Sequence, residues 1–258
     1  MCNIQEPEQI KETLATLKWR DSTKSSVAQI CDAYINYIGK TWERPKYNKA
    51  YGIPFIPTEQ EIDSLISAGT AKTATLLQLL KETGARIGEV AKIEWIDIDF
   101  ERRAITINKP EKRSNARILP MSVKLSAMLN NLPKKGDKVF QTTKHGLRTT
   151  FETLRGRTAI KLNNTRLNKI HLHTFRHWKG TIEYHKTKDI IHVMKILGHK
   201  SIRSTMTYIN IEQALYLADS DEWVCKTAIT IKEATELIET GFTYITDMEG
   251  IKLFRKRK

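Results

Sequence analysis

Two neighbouring stretches of the chain decide its fold: His171-Leu-His-Thr-Phe-Arg-His177 and Ile196-Leu-Gly-His-Lys-Ser-Ile-Arg-Ser-Thr-Met-Thr-Tyr-Ile-Asn210. Residues three apart on a helix share a face, so His173 and Arg176 would lie side by side. Gly198 predicts the end of a helix, and a short basic, hydroxyl-rich segment then leads from His199 to Tyr208. An imidazole and a guanidinium on one helix, followed by a second imidazole and a phenol, indicate a reactive site.

A third stretch, Glu82-Thr-Gly-Ala-Arg-Ile-Gly-Glu-Val90, contributes a second guanidinium. A helix predicted over residues 73–82 ends at the glycine, so Arg86 is expected in the first turns of the next helix. Pairing with Glu89 on that helix is the alternative, structural role for this arginine. A guanidinium is planar and permanently charged, and it can donate two parallel hydrogen bonds to nonbridging phosphate oxygens. Arg86 and Arg176 together would therefore suit a phosphodiester under attack.

In order and spacing, these stretches resemble the tyrosine recombinase (phage integrase) family, and the resemblance runs from about Phe55 to about Asp221. It implies an active site with six members: Arg86, Lys112, His173, Arg176, His199 and Tyr208. By that resemblance Tyr208 is the nucleophile, the two arginines clamp the phosphate, and His199 hydrogen-bonds a nonbridging oxygen. A phenol has an ordinary pKa of about 10 and needs help to lose its proton, for which His173 is the candidate. An ordinary buried aromatic is the alternative for Tyr208.

The leaving 5′ oxygen needs a proton, and the general acid of the family is a lysine on a hairpin. Residues 103–108 and 116–120 alternate apolar and polar side chains, which predicts two strands around a charged turn. Lys112 fits the family spacing to Arg117, whereas Lys109 fits the distance from the first arginine in some members. We favour Lys112 as the acid, with a solvated turn as its structural alternative.

The resemblance implies a site-specific DNA recombinase or integrase that forms a 3′-phosphotyrosine and acts as a tetramer on double-stranded DNA. No cofactor, ATP or metal is expected, because the phosphotyrosyl bond would conserve the energy of the broken phosphodiester. A metal cluster is not favoured either, since no cysteine or carboxylate lies at ligand spacing around the histidines. A type IB topoisomerase and an inactive DNA-binding protein of the same fold are the alternative functions. Four further histidines are interpreted as surface or packing residues: His171, His177, His185 and His192.

The composition agrees with a nucleic-acid partner. Among 258 residues, 43 Lys and Arg stand against 29 Asp and Glu, giving a formal charge of +14 spread over the whole length. Such a surface favours a polyanion, because neutralising phosphates releases counterions. No amphipathic basic helix favours a membrane, and no apolar run is long enough to cross one. Cys2, Cys31 and Cys225 are scattered and are interpreted as reduced thiols of a cytoplasmic protein.

The predicted fold class is mainly α with a small antiparallel β-sheet, as in the tyrosine recombinase catalytic fold. Residues 1–54 would form a short N-terminal helical segment and a linker, about half of the family's usual DNA clamp, so a reduced or truncated clamp is expected. Residues 55–222 would form the catalytic domain, and residues 223–258 a C-terminal strand, helix and hairpin with a basic end. Residues 211–222 would form a helix that docks on a neighbouring protomer or packs within the chain. The helices are expected near residues 25–38, 59–68, 73–82, 122–131, 146–161, 174–186, 189–197, 201–207 and 232–239, and the strands of the tail at 227–231, 242–246 and 251–254.

Overall fold

The predicted fold class is confirmed, because helices dominate the part of the chain that the structure describes, and the two antiparallel sheets in that part are small. The computed structural model describes residues 3–48, 52–112, 114–216, 223–248 and 250–257. Two compact units divide the chain, Met1–Ile53 and Pro54–Lys258. In the described part of the chain, no helix is long and apolar enough to cross a bilayer.

Within residues 3–48, the N-terminal unit forms two helices, α1 (Pro7–Thr16) and α2 (Asp21–Tyr37). Only the second was predicted, and it begins four residues earlier than the predicted range of 25–38. The first helix buries just Ile10 and Leu14, and a single pair of apolar residues four apart gives too little periodicity to recognise. The small core of the unit comprises Ile10, Leu14, Ala28 and Ile35.

The second unit begins with helices that surround one large core. Its elements up to residue 216 are α3 (Glu59–Ala68), α4 (Ala71–Thr83), α5 (Ile87–Val90), β1 (Ile98–Asp99), β2 (Ala104–Ile107), β3 (Arg117–Pro120), α6 (Val123–Asn130), α7 (Lys144–Lys161), α8 (Leu172–Thr187), α9 (Ile190–Leu197) and α10 (Arg203–Tyr216). The capping box between Thr58 and Glu61 at the start of α3 is present as predicted. Helix α4 lies deepest in the core, with Leu77, Leu79 and Leu80 fully buried.

The first sheet holds the turn that carries both candidate lysines. Strands β1, β2 and β3 pair antiparallel in that order, with Ile105 opposite Leu119. The two longer strands were predicted, whereas β1 was missed because two residues are too short to show alternation. The turn is tied to α9, because the N–H of Asn115 donates to the carbonyl of Gly198 at 3.0 Å.

Helix α10 corrects the prediction of two separate helices around Tyr208. It runs without a break from Arg203 to Tyr216, past the predicted end at residue 207. Helix α10 is continuous because its buried residues recur at helical spacing and pack against α8. These buried residues are Thr205, Tyr208, Ile211 and Glu212. Of the predicted docking helix, residues 217–222 lie outside the described residues, and Leu215 is exposed.

The C-terminal part forms a second sheet covered on one face by a helix. Its elements are β4 (Trp223–Ala228), α11 (Ile231–Glu239), β5 (Thr243–Met248) and β6 (Ile251–Arg257), and the antiparallel strand order is β4-β6-β5. The predicted strand over 227–231 was wrong in position. Thr230 and Glu233 form a capping box that starts α11, so the strand must end before it.

Candidate active site

Arg86 lies immediately before α5, not in its first turns as predicted. Its backbone is extended (φ −75°, ψ 146°), and its N–H donates to Oε2 of Glu89 at 2.9 Å. Its Nη1 donates to Oε1 of Glu89 at 3.1 Å, to the carbonyl of Glu111 at 3.3 Å and to the hydroxyl of Ser114. The guanidinium is therefore fixed between helix α5 and the turn that follows β2.

Glu89 is a buried carboxylate that accepts hydrogen bonds from two arginines of the cationic site. Its carboxylate also accepts from Nη2 of Arg117 at 2.7 Å, and its side chain is fully buried. Burial alone would raise the pKa of this carboxyl group, but the hydrogen bonds from Arg117 and from the backbone of Arg86 outweigh it and lower the pKa to about 2. Glu89 is thus an anion at neutral pH that orients two arginines. The pairing of Arg86 with Glu89, which was the alternative structural role for this arginine, is therefore present.

Arg176 joins the C-terminal ends of two helices. Its Nη1 donates to the carbonyl of Gly84 at 2.9 Å and its Nη2 to that of Leu197 at 2.5 Å. The residue is only 1% exposed. Burial and the charge of Arg86 lower its pKa to about 10, which leaves the guanidinium charged at neutral pH. Each terminal nitrogen keeps a second N–H for another acceptor.

His173 and His199 are both held neutral in this cationic environment. Desolvation by the surrounding protein and the charges of nearby groups lower the pKa of His173 to about 4 and that of His199 to about 3. The Nδ1 of His199 lies 2.9 Å from the hydroxyl of Thr205. If that hydroxyl donates to Nδ1, the imidazole carries its proton on Nε2, and this N–H can donate to a phosphate oxygen.

Tyr208 on α10 is 3% exposed, and its ring packs against Gly180 of α8. A Cβ on that glycine would come within 2.7 Å of the phenol ring, so only glycine leaves room for the observed position. The ring is nearly parallel to that of His199, with 6.4 Å between centroids. Burial raises the pKa of Tyr208, and the charges of Arg176 and Arg86 oppose that rise only in part. The phenol therefore holds its proton in the free protein.

His177 is the site residue that the sequence interpretation missed. Its Nδ1 lies 3.5 Å from the phenol oxygen of Tyr208, although it was interpreted as a surface or packing histidine. Its ring also meets that of His173 edge to face, with centroids 4.8 Å apart. Among the described residues, no hydrogen bond or ring contact joins His173 to Tyr208. The spacing of four residues between the two histidines on α8 was the signal that could have found it.

The two candidate lysines face different surroundings. Lys109 forms an ion pair with Glu94 on the exposed surface. Lys112 is exposed in the left-handed region (φ 52°), and its positive charge contributes to the lowered pKa of His173. Of the two lysines, Lys112 is the one whose charge lowers the pKa of His173 among the described residues. The described residues contain no group of three potential metal ligands.

Comparison with known proteins gives one consistent result. Residues 57–214 match the Phage integrase family. A tyrosine recombinase of Thermosipho africanus is 26% identical over 209 residues, which cover 74% of this chain and 72% of the relative. The tyrosine recombinase XerC of Bifidobacterium longum is 25% identical over 172 residues, 57% of this chain and 46% of that protein. The chain thus spans about half the length of such XerC relatives.

Solved structures share the fold at low identity. XerH site-specific recombinase bound to its palindromic difH substrate has a TM-score of 0.61 and 20% identity, with 83% of this chain and 70% of that chain covered. The Tn1549 transposon integrase in complex with transposon right end DNA has a TM-score of 0.60 and 16% identity, covering 83% and 85%. The similar proteins are recombinases and integrases, which does not favour the topoisomerase alternative.

Proposed function

The chain belongs to the tyrosine recombinase (phage integrase) family, and on that premise we propose that it cuts and rejoins double-stranded DNA at specific sites through a 3′-phosphotyrosine at Tyr208. One observation carries this proposal. Two arginines, two neutral histidines and a buried phenol share one cationic pocket, because the charges of Arg176 and Arg86 act on both histidines and on the phenol. Such a pocket suits an anion that gains negative charge during its reaction.

The arginines would bind the scissile phosphate. Arg86 and Arg176 are held by protein acceptors on one side, and their remaining N–H groups, which bond no other described residue, would donate to the two nonbridging oxygens. Rigid donors that need no reorganisation stabilise the charge that develops as the phosphorus becomes five-coordinate. His199 would add a third donor through Nε2. The phosphate would in turn raise the pKa of the neighbouring histidines, because its negative charge favours their protonated forms.

The phenol of Tyr208 must lose its proton as its oxygen attacks phosphorus. His173 remains the candidate from the family resemblance, and His177 is the acceptor nearest to the phenol in the free protein. Burial and the charge of Arg176 lower the pKa of His177, so its imidazole is neutral and able to accept. The new bond joins the phenol oxygen to phosphorus, and the bond from phosphorus to the 5′ oxygen breaks.

Lys112 would supply the proton that the departing 5′ oxygen takes up. Its exposed side chain lies on the turn beside Arg86, whereas Lys109 is engaged by Glu94. Rejoining reverses these steps with a 5′ hydroxyl from the partner strand. No metal or ATP enters this scheme, because the phosphotyrosyl bond stores the energy for religation.

The assembly is also part of the proposal. Strand exchange between two DNA duplexes requires four active sites, so we expect a tetramer on double-stranded DNA. The N-terminal helices α1 and α2 of residues 1–54 would contribute to the DNA clamp. The excess of positive charge over the whole chain would supply its sequence-independent affinity.

The proposal is tested with a nicked suicide duplex of the attachment site, selected if necessary from a randomised pool by binding. Wild-type protein should give a covalent protein–DNA band on a denaturing gel, and Tyr208→Phe should bind the duplex equally but give none. Exchange of strands between two labelled duplexes would then assign recombination. A wild-type protein that binds the duplex without forming the band would contradict the proposal.

A further inference from the structure

A buried carboxylate anchors the helix that carries Tyr208. Glu212 on α10 is 5% exposed, and its Oε1 lies 2.7 Å from Nδ1 of His185. The same oxygen accepts from the ammonium of Lys188. The ring of His185 in turn stacks on that of Tyr216 at 3.7 Å between centroids. Both partners of Glu212 belong to the C-terminal end of α8, the helix that also carries His173 and Arg176.

The anchor lies one helical turn from the nucleophile. Tyr208 and Glu212 are four residues apart and face the same side of α10, towards α8. Helix α10 therefore meets α8 at two kinds of contact. At Tyr208 the contacts are the backbone of Gly180, which sets how closely the helices approach, and one long contact of 3.5 Å between the phenol oxygen and Nδ1 of His177. At Glu212 the contact is directional, because one carboxylate oxygen is held by two donors.

Charge strengthens this contact at neutral pH. Burial raises the pKa of Glu212, but its hydrogen bonds with Lys188 and His185 outweigh burial and leave the pKa below its ordinary value. The carboxylate is thus ionised beside the ammonium of Lys188. The carboxylate of this charged hydrogen bond is nearly buried, whereas the side chain of Lys188 is 58% exposed.

We propose that Glu212 is a positioning residue for the reaction, which fixes the phenol of Tyr208 relative to the arginines by clamping α10 to the end of α8. This inference rests on the proposed function, since it concerns the placement of the proposed nucleophile. Glu212 touches neither the phosphate nor the reacting oxygen in this account. Loss of the Glu212 carboxylate would let α10 rotate about the contact between Tyr208 and Gly180, and this rotation would move the phenol away from the arginines.

The chain offers a closely matched control. Glu183 on α8 also pairs with a lysine and a histidine, at 2.7 Å from Lys179 and 3.3 Å from His192. Those contacts tie α8 to itself and to α9, and none of them involves α10. Removing Glu183 therefore breaks a similar ion-pair cluster on the same helix without touching the anchor.

The test compares Glu212→Ala, Glu212→Gln and Glu183→Ala in single-turnover cleavage of the suicide duplex. A displacement of about 1 Å at a reacting group can reduce the rate about 100-fold, so we expect Glu212→Ala to cleave about 10- to 100-fold more slowly. Glu212→Gln, which keeps the shape and one acceptor, should lose less. DNA affinity should stay within about twofold of wild type in all three, and Glu183→Ala should cleave within about threefold. Equal cleavage by Glu212→Ala and wild type, or a loss that lies entirely in affinity, would overturn the inference.

A second measurement does not depend on activity. Amide hydrogen exchange of residues 203–216 in the DNA-free protein should be faster in Glu212→Ala than in wild type and unchanged in Glu183→Ala. Unchanged protection of α10 in Glu212→Ala would overturn the anchor whether or not the wild-type protein cleaves DNA. A wild-type protein without cleavage activity would instead contradict the proposed function, and the exchange result would still decide the anchor.

Discussion

Replacing Glu89 with glutamine should destabilise the protein by an amount that depends strongly on pH. The carboxylate lies between Arg86 and Arg117, and its pKa falls from an ordinary value of 4.5 to about 2 in the folded state. A depressed folded pKa gives stability that is fully present above the unfolded pKa and is lost as the pH falls through the folded one. That shift corresponds to about 3.4 kcal/mol at pH 7 and to about 1.4 kcal/mol at pH 3. The side chain is fully buried, so solvent screening does not reduce this figure.

Urea denaturation at pH 7 and pH 3 measures the effect. Wild type should exceed Glu89→Gln by about 3 kcal/mol in unfolding free energy at pH 7, and the gap should close to about 1.4 kcal/mol or less at pH 3. Glu236→Gln, an exposed change on α11, should stay within about 0.5 kcal/mol of wild type at both values. A gap below about 1 kcal/mol at pH 7, or one that does not change with pH, would refute the idea that this anion holds the two arginines in place.

Three further predictions concern catalysis. Gly180→Ala should slow DNA cleavage about tenfold or more at unchanged DNA affinity, because the new methyl group would lie 2.7 Å from the ring of Tyr208. Gly156→Ala is the control, since nothing lies within 4 Å of the added methyl group there. Equal cleavage rates for Gly180→Ala and wild type would show that the close approach of the ring to Gly180 is not needed. Lys112→Ala should lose cleavage of ordinary DNA but regain it on a duplex with a 5′-bridging sulfur, whose leaving group needs no proton, while Lys109→Ala should cut both substrates at wild-type rates. His177→Gln should make the cleavage rate rise with pH between 6 and 9, whereas wild type should change little above pH 7, because burial and the charge of Arg176 lower the pKa of the His177 imidazole. Identical profiles would exclude His177 as the proton acceptor.

The sequence predicted those parts of the site that depend on local order. Helical spacing predicted that Arg176 and His173 lie on one helix, which is α8, and the break at Gly198 correctly separates α9 from the segment that carries His199. The residues flanking the candidate lysines alternate as strands do, so the turn between them was also placed correctly. Each of these features is determined by a sequence segment of only a few residues.

Features that depend on distant partners were not predictable in this way. The burial of Glu89 depends on Arg117, which lies 28 residues later in the chain and had been read only as a spacing mark. The role of His177 depends on where α10 places its phenol, and the unbroken length of α10 depends on its packing against α8. Charge alone did not separate Lys109 from Lys112, and the pairing of Lys109 with Glu94 depends on a residue 15 positions earlier in the chain.

The most direct test of the account is to identify the residue that becomes joined to DNA. The covalent complex formed on a suicide duplex would be treated with nuclease and trypsin, and the peptide covering residues 204–226 would be sequenced by tandem mass spectrometry. That peptide contains Tyr208 and Tyr216, so it includes an internal comparison between two phenols on one helix. The account predicts a nucleotide phosphate on Tyr208 alone. A modification on Tyr216, or a complex whose DNA is attached outside this peptide, would contradict it.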